Sequence, residues 1–191
     1  MWLLILTANV LITLYEALTV TNALTALIRI LALDAFMLLC VSLIIGPLIT
    51  MNPTKYGTLM ESRRAVGIAA FLFMLGHFTL VFSQYFGFNL ESIISNPALV
   101  IVIPALIIFF IMALTSNDYS MKKLGMNWKR IHQFTYLGFV LVLTHFLLKS
   151  NGLLKALEGK AGWNVVEIAV FILAVITIAL QVKGFWIRKK S

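Results

Sequence analysis

Apolar residues in this chain do not recur at the period of a half-buried strand or a surface helix; they run on in long blocks. The blocks cover residues 2–15, 23–49, 65–86, 98–115, 130–149 and 163–186. A helix rises about 1.5 Å per residue, so about 20 residues cross a bilayer core, and the last five blocks are long enough. The first is shorter, because Glu16 interrupts it. Gly46, Pro47 and Pro104 lie inside blocks, and membrane helices tolerate them where neighbours satisfy the freed backbone groups. The pattern predicts an all-α integral membrane protein: a six-helix transmembrane bundle with a short first helix, forming one domain over residues 1–191. The first block has no basic stretch before it and no small-residue cleavage pattern after it, so it is expected to be a helix rather than a signal peptide. Residues Ser116–Arg130 are the longest polar stretch and are expected to be a loop.

Composition narrows the class. Of the 191 residues 61% are hydrophobic and 12% charged, against roughly 25% charged in a soluble domain. Mean hydropathy is +1.00. A soluble fold of this size has no interior large enough for that much apolar side chain. The lone Cys40 has no intrachain disulfide partner and suits a small buried apolar position.

The net charge of +8 is arranged by topology. Lys55, Arg63 and Arg64 follow the second block; Lys122, Lys123, Lys129 and Arg130 lie between the fourth and fifth; Lys183, Arg188, Lys189 and Lys190 close the chain. These segments alternate along the chain and therefore share one membrane face. The opposite segments hold Glu91, Lys149, Lys155, Glu158 and Lys160. Cations concentrate on the cytoplasmic side, so both termini are expected in the cytoplasm of a multi-pass cell (inner) membrane protein surrounded by membrane lipid. Scattered at helix ends, they do not form a nucleic-acid surface.

All three histidines fall within apolar blocks. One buried imidazole is most often a satisfied interhelical hydrogen bond; three in one small domain point further. His77 lies 13 residues beyond Arg64 and His145 lies 15 beyond Arg130. These offsets are roughly 20 Å and 22 Å of helix, which puts the two rings at one depth on different helices. Two neutral imidazoles at one depth suit the two axial positions of a haem iron. A zinc site is less suited, because it takes three or four ligands. His132 lies near the cytoplasmic surface. Arg63 stands where a symmetric partner histidine would be, which leaves a singly ligated second haem, a quinone head group or a haem propionate beside Arg63 and Arg64 as the open alternatives. Asp34 sits mid-block and is read either as an acceptor for a ligating imidazole N–H or as a buried acid, neutral or paired with Arg29. Gly67, Gly76 and Gly138 would admit a flat macrocycle or a close helix crossing. Trp128, Tyr136, Trp163 and Trp186 are expected as interfacial anchors.

Two segments resemble a known family. "SRRAVGIAAFLFMLGHF" (62–78) is similar to the Arg-Arg-x-x-Gly…His segment of the ferric reductase-like transmembrane domain. "LTSNDYSMKKLGMNWKRIHQFTYLGFVLVLTH" (114–145) is similar to its Trp-Lys-Arg-x-His…Tyr…His segment. The resemblance covers about residues 22–150 and is nearest to the haem-binding membrane subunits of periplasmic methionine sulfoxide reductase systems. It implies a b-type haem with His77 and His145 as axial ligands, and His132 as an inner-site residue that could hold a second haem. It also implies electron transfer from a quinol or a cytoplasmic flavoprotein to an external redox acceptor protein. A quinone or flavin would then be a further cofactor of the system. The competing expectations are a ferric reductase or oxidase acting directly on a small acceptor, and a proton or solute carrier built on His77, Asp34 and His132.

Overall fold

A computed structural model describes residues 1–149, 158 and 164–190. Lys155, Lys160 and Trp163, expected as outer-side charges and an anchor, lie outside the described residues. Within them all regular structure is helical: α1 (Trp2–Thr19), α2 (Ala23–Met51), α3 (Pro53–Tyr56), α4 (Leu59–Tyr85), α5 (Leu90–Ile94), α6 (Pro97–Thr115), α7 (Asp118–Leu124), α8 (Met126–Gln133), α9 (Thr135–Lys149) and α10 (Val165–Lys190). Six segments are long and apolar enough to cross a membrane: α1, α2, α4, α6, the α8–α9 pair (Met126–Lys149) and α10. The chain is a multi-pass membrane protein.

Asparagine starts five of these helices. The side chains of Asn22, Asn52, Asn89, Asn96 and Asn117 each accept a hydrogen bond from a backbone N–H of the following turn, which satisfies a donor that the helix itself leaves open.

The chain divides into two compact units. The first comprises Met1–His77 and Val165–Ser191. Its centre is α2, which buries Phe36, Met37, Leu38, Leu39, Cys40, Leu43 and Ile45. Pro47 has no N–H to give the Leu43 carbonyl four residues back. Gln181 on α10 fills that vacancy, its Nε2 donating to Leu43 O at 2.6 Å. Close packing accompanies the bond, since a Cβ on Gly184 would stand 3.1 Å from the Pro47 Cβ and 3.3 Å from its Cα. α1 runs three residues past Glu16, so the first span is longer than the residue pattern predicts. Glu16 does not end the helix because its carboxylate is fully buried against Arg29.

The second unit is Phe78–Asn164. The expected loop at Ser116–Arg130 is instead mostly helical, as α7 and the start of α8. Gly125, with φ of 53°, breaks the chain between them in a conformation that glycine adopts without strain. The fifth span is interrupted at Phe134, which separates α8 from α9.

α6 and α9 meet over Gly138, where an added Cβ would lie 2.8 Å from Phe109 Cζ and 2.9 Å from Cε2. Glycine here therefore serves a helix crossing. Gly138→Ala is expected to force the ring aside and cost about 1–3 kcal/mol. Chemical denaturation of purified protein, beside Gly76→Ala, whose added Cβ would meet only Leu31 at an ordinary 3.6 Å, checks this; equal losses would contradict it.

Candidate functional site

His77 lies in the C-terminal third of α4, and its Nδ1 is 2.9 Å from the carbonyl oxygen of Ile28 on α2. A carbonyl only accepts, so Nδ1 carries the proton. In the neutral ring the lone pair is then on Nε2. His145 on α9 repeats the arrangement in the second unit: its Nδ1 is 2.8 Å from the carbonyl oxygen of Ala98 on α6. Both rings are half-buried. Each is thus fixed in orientation and tautomer by a backbone carbonyl of another helix, with the lone pair of the neutral ring on the same nitrogen, Nε2.

The acceptor role expected of Asp34 toward an imidazole N–H is filled at His77 by Ile28. The alternative pairing of Asp34 with Arg29 is not formed either. Arg29 binds Glu16, Nε to Oε2 at 2.6 Å and Nη2 to Oε1 at 3.2 Å, and its Nη2 reaches Glu167 Oε1 at 3.4 Å. Asp34 is 2% exposed and its Oδ1 has no hydrogen-bond partner. Reasoning from sequence missed Glu16 and Glu167. Their only signal was acidic residues close to the ends of apolar blocks.

His132 is held differently. Its Nε2 is 3.2 Å from the Thr115 hydroxyl, whose single proton is directed at the Ile111 carbonyl at 2.8 Å. Nε2 therefore donates, and the tautomer is opposite to that of the other two rings. Trp128 stacks on the imidazole with ring centroids 4.1 Å apart, and its Nε1 donates to the Thr115 carbonyl at 2.9 Å. Trp128, expected only as an anchor, is thus part of the setting of His132. Thr115 is the residue that holds both rings.

In the first unit Arg63 is half-buried and Arg64 exposed. The Arg63 guanidinium lies across Gly46, 3.6 Å from where a Cβ would be, and Ser42 Oγ donates to the Arg63 carbonyl at 3.4 Å. Gly67 packs close to Ser42, and Gly76 to Leu31. Among the described residues no three of His, Cys, Asp and Glu come together as they would to hold a bare metal ion.

The family model for the ferric reductase like transmembrane component matches residues 30–143. A protein-methionine-sulfoxide reductase heme-binding subunit from Agrobacterium fabrum is 33% identical over 124 residues, covering 63% of this chain and 56% of that protein. The proteins of the same name from Brucella melitensis and Brucella ovis are 34% and 33% identical, each over 63% of this chain and 55% of the relative. The match thus spans little more than half the length of these curated relatives. No solved structure matches. The family match takes in Asp34, Arg63, Arg64, His77 and His132 and stops two residues short of His145; because it runs over more than half of the sequence, the chain belongs to the ferric reductase like transmembrane component family.

Proposed function

We propose that this protein carries electrons across the membrane through one b-type haem, with His77 Nε2 and His145 Nε2 as axial ligands. The observation that carries the reading is the shared anchoring of the two rings, each Nδ1–H bonded to a backbone carbonyl at 2.9 and 2.8 Å. Such a bond fixes the ring plane, leaves the lone pair on Nε2 and raises its basicity toward iron. The depths of the two histidines, similar by residue count, support the same pairing, as does the heme-binding name of the relatives.

When bound, the haem supplies reversible one-electron chemistry at iron. The residues of the chain orient the two imidazoles, and the apolar helices keep water from the site, which sets the potential. His132 is not assigned a second haem, because its Nε2 is the nitrogen that donates to Thr115. Arg63, beside Gly46, and the exposed Arg64 offer guanidinium groups to a carboxylate such as a propionate, or to a quinol head group. The donor is a quinol or a cytoplasmic flavoprotein, the acceptor a redox protein outside, and both termini are cytoplasmic.

The test is electron transfer across a vesicle wall. Protein reconstituted with haem in liposomes enclosing ferricyanide, with a short-chain quinol added outside, is expected to reduce the enclosed acceptor faster than protein-free vesicles do. The gain should vanish in His77→Ala. A rate equal to that of empty vesicles with quinol and with a reduced flavoprotein would contradict the proposal. Rapid reduction of a soluble ferric chelate by the purified chain alone would favour a terminal reductase.

A second reading, a proton carrier, draws on the buried, partly unsatisfied carboxyl of Asp34. It predicts acidification of vesicles under an imposed potential, abolished by Asp34→Asn and independent of haem.

A further inference from the structure

We propose that the ion cluster Glu16–Arg29–Glu167 is a positioning device for His77: it pins the first turns of α2 between α1 and α10 and so sets the direction of the Ile28 carbonyl that holds the imidazole. The inference rests on the proposed axial role of His77 and adds to it.

Three helices converge on one guanidinium. Glu16 comes from α1, Arg29 from α2 and Glu167 from α10, with side-chain exposures of 0%, 30% and 7%. Ionisable side chains in an apolar segment are costly, and desolvation offsets most of the attraction in a buried ion pair. Stability alone is therefore a weak reason for keeping three of them. What the cluster provides is direction. The guanidinium is a rigid planar fork, and Glu16 takes it in a nearly bidentate way at 2.6 and 3.2 Å. Glu167 holds Nη2 from a separate helix at 3.4 Å. Anchored from two helices, α2 is restrained against turning about its own axis.

The link from Arg29 to the acceptor of His77 is covalent and short. The carbonyl that accepts from His77 Nδ1 belongs to Ile28, and the nitrogen of that same peptide group belongs to Arg29. A peptide is planar, so fixing Arg29 fixes the plane in which the Ile28 oxygen lies. That oxygen sets the plane of the imidazole. Asp34, five residues on and about 140° further round the helix, is not on this face. All three cluster residues lie outside the 30–143 segment that the family model matches. No corresponding ion pair holds Ala98, the acceptor for His145, among the described residues, so the effect falls on one ligand.

The test uses full-length protein loaded with haem and reads the electron paramagnetic resonance of the low-spin ferric state, whose largest g value follows the relative planes of the two axial rings. Glu16→Gln removes half of the bidentate pairing, and Arg29→Lys keeps the charge but not the fork. Both are expected to retain haem and to shift that g value, with a change in midpoint potential. Arg188→Gln serves as control, because its contact is with Thr50 at 3.4 Å in the same unit; its spectrum should match wild type. Should Glu16→Gln fail to accumulate, Glu167→Gln, which alters the 3.4 Å contact to Arg29 and leaves the Glu16 pairing in place, decides in the same way. Bound haem with unchanged g value and potential in the cluster variants overturns the inference, even if their melting temperature falls. Absence of any low-spin signal in wild type would instead defeat the ligand reading on which the inference rests.

Discussion

Replacing His77 or His145 with alanine is expected to abolish the six-coordinate haem spectrum, while His132→Ala leaves it in place. Losing only the hydrogen-bonding partner of a metal-bound histidine typically weakens binding about 10- to 100-fold, and losing the ligand itself costs at least as much. The two alanine variants should therefore retain little haem through purification. The contrast with His132 follows from the tautomers. His77 and His145 each give their Nδ1 proton to a carbonyl, whereas His132 engages Thr115 through Nε2 and is covered on one face by Trp128. Haemochrome stoichiometry measured on all three variants checks this. Equal loss of haem in His132→Ala would mean that its ring turns over to ligate, and that Thr115 is not its partner in the loaded protein.

The largest stability effect is expected at Arg29. Arg29→Met leaves the fully buried Glu16 carboxylate without its bidentate partner. Removing one member of a buried ion pair costs about 3–5 kcal/mol, since the remaining buried charge loses the opposite charge that compensated it. Replacing all three members together, Glu16→Leu, Arg29→Met and Glu167→Leu, should recover most of that loss, because an apolar cluster of similar volume carries no desolvation cost. Denaturation in detergent compares the single and triple variants. A single variant as stable as wild type would mean that Glu16 is neutral or finds water. A triple variant no better than the single would assign the loss to packing rather than charge.

Much of the architecture was legible because membrane helices are announced by the length of apolar runs, and five of six spans both begin and end within four residues of the runs themselves. Where reading failed, the missing information was long-range. Glu16 looks like the end of a helix until its partner Arg29 is known, and the second acid on that guanidinium is 138 residues from it. The depths of His77 and His145 follow from counting residues out from Arg64 and Arg130. Their tautomers do not, because the carbonyls that decide them are 49 and 47 residues away. Trp128 carried the signature of an interfacial anchor, and nothing local reveals that Thr115 would hold it against His132. The helix α7 and the first turn of α8 were missed for the opposite reason: their signals, Asn117 as a cap and Gly125 as a break, are local but belong to a polar stretch that no apolar run marks.

The most direct test of the central claim is the visible spectrum of the purified wild-type protein, oxidised and then reduced with dithionite, with haem quantified as its pyridine haemochrome. The proposal predicts the bands of a six-coordinate b-type haem at one haem per chain. A chain that purifies folded but colourless from cells supplied with haem would contradict it, and would return His77 and His145 to the role of interhelical hydrogen bonds.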